Sequence, residues 1–197
     1  MTRTELQKIG EQLNLNCGGE GSGVPGPCPM GGNEKTGDLE PYRQHKGTNA
    51  AANKRAVSDS KIKVNVPEAI RVDVERALAH LIESKPLMDQ MKGVTVETVS
   101  GDGSKSRIHG TMRGNKLIIN PDSLKQHGAG FLAGVLRHEL EHKILTDKGV
   151  SSGQQESRVR YTAGMWAAMK YANMAKTNPA DAAGFKKAAI EQGIKVN

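Results

Sequence analysis

The chain has 197 residues, of which 36% are hydrophobic and only 3% aromatic, with 23 glycines, a formal net charge of +7 and a pI of about 9.4. That length holds one ordinary domain, or a smaller domain with an arm, and no run approaches the ~20 apolar residues of a membrane-spanning helix. The charge permits an acidic partner, but many of the basic residues are scattered, as at Lys54-Arg55, Lys61, Lys63, Lys105, Arg107, Lys186 and Lys187, and the aromatic platforms of single-strand binders are scarce, so the composition argues against nucleic acid.

Residues 4–14 have Leu6, Ile9 and Leu13 at helical spacing, an amphipathic start and not the apolar core of a signal peptide, so a soluble, cytoplasmic protein is expected. From Asn16 to about Ser60 the chain is rich in Gly, Pro, Asn, Ser and charge, too polar to offset the entropy of ordering. The expected division is therefore a largely disordered arm over 1–60 and a folded domain over 61–197. Cys17 and Cys28 fall in the arm, too few for a disulfide framework. They are an incidental pair, a redox-sensitive clip, or thiolates that reach a metal elsewhere in the chain. Gly31-Gly32-Asn33-Glu34-Lys35-Thr36 lacks the Gly before Lys that a phosphate-binding loop needs.

The domain opens with the apolar run Ile62 to Val66. Pro67 suits a first helical position, and Ile70, Val74, Ala77 and Leu81 give one apolar face up to Ser84, with Pro86 as terminator. Alternation and β-branched residues in 94–99, 107–112 and 116–120, separated by 101–105 and by Arg113-Gly114-Asn115, predict three short antiparallel strands. Helical period then returns from Gly128 to about Thr146, and Gly149 suits its C-terminal stop. A returning helix is expected from Ser152, which forms a capping-box pattern with Gln155, to about Lys176, and a last helix from Pro179 to Gln192.

The chemistry concentrates in His138-Glu139-Leu140-Glu141-His142. Two histidines four apart on a helix project from one face, one turn above the other, which lets two imidazole nitrogens reach one metal ion. Glu139, beside the first histidine, stands where it can take a proton from a metal-activated water. The plain alternative is an exposed helix face on which Glu139 and Glu141 form local ion pairs with Arg137 and Lys143.

This His-Glu-x-x-His pattern, on a helix after a strand at 116–120, resembles the zincin metallopeptidases over about residues 66–176. The resemblance implies Zn2+, hydrolysis of peptide bonds in a peptide or protein substrate, and an edge strand that holds the substrate backbone. It also implies an α+β fold, a minimal zincin-like domain with a small three-stranded antiparallel sheet, an active-site helix and a returning ligand-bearing helix. The metzincin positions for Gly and a third His hold Leu145 and Lys148, and Asp147 is one place early, so the gluzincin pattern remains, with a Glu on the following helix. Glu156 fits, because it stands about as far after the turn at 148–151 as His142 stands before it.

Arg160, one turn beyond Glu156, is a candidate to orient that carboxylate or to bind a developing oxyanion, with Tyr161 and His109 as alternative donors. Asp147, Glu141 and Arg158 read as solvated or supporting residues, and Met165, Trp166, Met169 and Met174 as core. The Cys-Gly-Pro arm looks like linkers ahead of enzyme domains in phage head-morphogenesis polyproteins, which implies a phage-encoded, virion-associated setting. The competing expectation is a basic zincin-like binding module without catalysis, holding an acidic protein or nucleic-acid partner.

Overall fold

The structure, a computed structural model, describes residues 49–99 and 109–196. The helix expected at 4–14, Cys17 and Cys28, most of the arm and the turn at 101–105 lie outside the described residues. The described chain is a mixed α+β fold of six α-helices and one four-stranded sheet.

Helix α1 (Ala50–Asp59) replaces the last part of the expected arm. Asn49 caps it by accepting from Ala52 N, four alanines favour the helical state, and Val57 is buried in the same core cluster as the rest of the domain. Strand β1 (Lys63–Asn65) leads into α2 (Glu68–Leu81), which buries Ile70, Val74, Ala77, Leu78 and Leu81. Pro86 does not simply end this helix: Ser84 caps a further short helix, α3 (Lys85–Met91), with Pro86 in its first turn, where a missing N–H costs nothing. Seven residues with little apolar periodicity gave no signal for it.

The remaining strands are β2 (Thr95–Thr98), β3 (Gly110–Arg113) and β4 (Lys116–Ile119), and the sheet order is β1-β2-β4-β3. The expectation of three antiparallel strands is corrected: β1 runs parallel to β2, β2 parallel to β4, and the antiparallel pair is β3 with β4. Two helices separate β1 from β2, enough chain for a parallel crossover. β3 and β4 are joined by Gly114-Asn115 alone, with Gly114 at φ +57°, as a tight hairpin requires. β3 is thereby an edge strand. No helix among the described residues is long and apolar enough to cross a membrane.

Helix α4 (Pro121–Asp147) consists of two helical segments that meet at Gly128, whose φ of 78° and ψ of 179° no helix contains; the first, capped by the Asn120 side chain, was not anticipated, and the second starts where the periodicity predicts. It ends as anticipated: Gly149 takes φ +76°, its N–H reaches Thr146 O, and Val150 N reaches Leu145 O. The expected capping box at Ser152 is not formed. Ser152–Gln154 is a 3-10 turn, and α5 (Glu156–Met174) follows with no side-chain cap. Helix α6 (Pro179–Glu191) is capped by Asn178.

Helices α4 and α6 run side by side along a seam of small residues. A Cβ on Gly130 would stand 2.1 Å from Asp181 O, one on Gly184 2.4 Å from Phe131 N, and one on Gly134 2.4 Å from Ala188 Cβ. One turn further along both helices stand His138 and Gln192, so the close approach brings the end of α6 onto the His-Glu-x-x-His face. The start of α6 is tied to α2 by Asp181, whose Oδ2 lies 2.9 Å from Arg76 Nε and 2.8 Å from Nε2 of the fully buried His80.

Candidate metal centre

Helical spacing puts the two imidazoles on one face, with His138 Nε2 3.2 Å from His142 Nε2. The turn at 148–151 brings α5 back against them, so that Glu156 Oε2 lies 3.3 Å from His142 Nε2 and 3.9 Å from His138 Nε2. Ligand atoms of all three lie within 4.8 Å of one another, a set that could hold a metal ion. Sequence spacing thus pointed to the same three residues that the fold brings together.

Two glutamines that sequence reasoning missed decide how well these nitrogens suit a cation. Gln155 Nε2 donates to Val150 O at 2.6 Å and to Thr146 Oγ1 at 3.1 Å, which turns Oε1 toward His142 Nδ1 at 3.0 Å. An amide oxygen only accepts, so His142 Nδ1 is the donor in this bond, and the neutral tautomer it selects has its lone pair on Nε2. Gln192 Oε1 lies 3.0 Å from His138 Nδ1 with the same effect. In these neutral tautomers two Nε2 lone pairs and a carboxylate oxygen face one another, an arrangement that a bound cation would stabilise. Burial lowers the His138 pKa more than the Gln192 hydrogen bond raises it, which favours the neutral imidazole that a metal needs.

No family model, curated protein or solved structure matches the chain. What can be said of the centre therefore rests on its own chemistry.

Glu139 does not pair with Lys143; its Oε2 accepts from the Met112 N–H of edge strand β3 at 2.9 Å. Burial raises its pKa, opposed by that hydrogen bond and by the nearby His142, so the carboxylate is more basic than a solvated one. Arg160 Nε lies 3.2 Å from Glu156 Oε1, which leaves Oε2 directed at the histidines. Tyr161 is not brought in: five residues beyond Glu156 it is rotated by about 140° around α5, and it is exposed. His109 lies across a small pocket from the centre, its Nδ1 2.8 Å from Ser123 Oγ. Glu141 is not solvated but forms a buried ion pair with Arg137 at 2.6 Å, while Lys143 pairs with Asp147. Met165 is buried and Trp166 packs on the core, whereas Met169 is exposed.

The signal for Gln192 was its place one turn beyond Ala188, in step with His138 beyond Gly134, but this is visible only once α4 and α6 are known to pair. Gln155→Leu is expected to weaken metal binding about 10- to 100-fold while the far-ultraviolet circular dichroism stays that of the wild type. Competition with a chromogenic chelator measures it, and wild-type affinity in the variant would show that the imidazole orientation is set elsewhere.

Proposed function

We propose that the protein is a zinc-dependent peptidase centred on His138, His142 and Glu156, with Glu139 as general base. The observation that carries this reading is the convergence of two imidazole Nε2 atoms and one carboxylate oxygen next to a second, buried carboxylate. Zinc held by these three residues would act as a Lewis acid toward water and the scissile carbonyl.

The chain supplies the rest. Glu139, anchored through Oε2 on Met112 and free at Oε1, takes a proton from the attacking water and passes it to the leaving amine. Arg160 holds the outer oxygen of Glu156, which keeps that carboxylate in one orientation. On β3, His109 O accepts from Asn120 N toward β4, so the Gly110 N–H and C=O and the Met112 C=O face the open edge, where an extended substrate can add as a further strand, while the Met112 N–H is taken by Glu139.

Elemental analysis of purified wild type, His142→Ala and Glu156→Ala tests the metal centre. The expected result is one zinc per wild-type chain and essentially none in either variant. Zinc retained by Glu156→Ala moves the third ligand elsewhere, and a wild type that takes up no zinc after supplementation sinks the proposal.

A further inference from the structure

Beside Glu139 lies a pocket of about 120 Å³ enclosed by β3, α4 and the end of α6. Its walls are Phe131, Val135 and Ala188, its sheet side is Gly110, and His138 and Glu139 form the border with the metal centre. The glycine matters here: a Cβ at position 110 would stand 2.9 Å from Val135 Cγ1 and 4.0 Å from Glu139 Cγ, in the entrance between strand and helix.

The pocket is open to solvent on one side, and its volume admits the methylenes and ammonium of a lysine side chain. The rest of the lining is polar: Glu191, His109 and Gln192 complete it, so that it includes two carboxylates, Glu139 and Glu191, and no lysine or arginine.

Glu191 has capacity to spare. Its Oε2 stands 3.5 Å from His109 Nε2, beyond a good hydrogen bond, and its Oε1 stands 3.4 Å from Nζ of Lys187, one turn earlier on α6. That pair is half exposed, 43% on the lysine and 35% on the glutamate, so water screens it, and the Lys187 ammonium, 5.9 Å from the Phe131 ring centroid, is the cation that an entering ammonium displaces from Glu191.

We propose that this pocket selects a lysine side chain next to the scissile bond, its methylenes against Phe131, Val135 and Ala188 and its ammonium on Glu191. The inference rests on the peptidase reading for the scissile bond, but the recognition itself is a binding event and can be tested as one. Glu191 serves here as a specificity residue, with no part in the proton transfers.

The test is calorimetric titration of zinc-loaded wild type and Glu191→Gln with two peptides that differ only in lysine against norleucine, followed by incubation of the same mixtures to look for cleavage. Wild type is expected to bind the lysine peptide about 10-fold more tightly, and Glu191→Gln to bind the two alike with norleucine affinity unchanged. Equal affinities in the wild type, or a lysine preference that survives Glu191→Gln, overturn the proposal. A lysine preference without cleavage of either peptide upholds the pocket and counts against the peptidase; cleavage of both at equal affinity does the reverse.

Discussion

Glu139→Gln is expected to keep one zinc per chain and to lose at least ~10³-fold in kcat against a denatured protein substrate, because removal of a general base costs about 10²–10⁴-fold and this carboxylate handles the proton in two steps. Glutamine is close in shape and its amide oxygen can still accept from Met112 N, so β3 and α4 should remain docked. Two readouts taken together decide the outcome. Retained zinc with lost turnover fits the proposed role, whereas activity within a few-fold of wild type would show that another group moves the proton. If wild type itself binds zinc but cleaves nothing across a broad peptide mixture, the chain is better read as a metal-holding binding module.

The second large effect is structural. Gly130→Ala places a methyl carbon 2.1 Å from the backbone oxygen of Asp181, and neither partner is a flexible side chain that could swing away. Helices α4 and α6 must separate, with the Asp181 contacts to Arg76 and His80 disturbed in the same movement. The cost should be ~3 kcal/mol or more, about a 10 °C fall in Tm for a domain of this size. Gly153→Ala is the control, since a Cβ there meets nothing within 4 Å and its φ is not in the left-handed region. A Gly130→Ala protein that melts with the control would mean that the two helices do not approach as closely as described.

The parts legible in the sequence were those set by local spacing. Histidines four apart meet on a helix whatever surrounds it, Gly149 marks the stop because few other residues take a positive φ, and equal distances from a tight turn bring His142 and Glu156 to one height. Residues whose role depends on non-local pairing were not legible. Ile62 to Val66 looked like a strand, yet nothing local said that it pairs parallel with β2 across two helices, or that β4 would sit between β2 and β3. The Ser152 and Gln155 pattern misled for a physical reason: the amide that would cap the helix is engaged by His142, Thr146 and Val150 instead. Helix α1 was hidden by the polar residues around its alanines, since it contributes little more than Val57 to the apolar core.

The small-residue seam has a thermodynamic side. Because the turn of α6 that follows Gly184 and Ala188 delivers Gln192 to His138, docking of that helix and loading of the proposed metal would be linked equilibria, each favouring the other by the same free energy. Metal at 100 times its dissociation constant would add ~2.7 kcal/mol to the stability of the fold, and part of that gain would resist the local opening that peels α6 away. Helix α6 would then report occupancy as well as wall the site, and its amides are expected to exchange with solvent faster in the empty chain than in the loaded one.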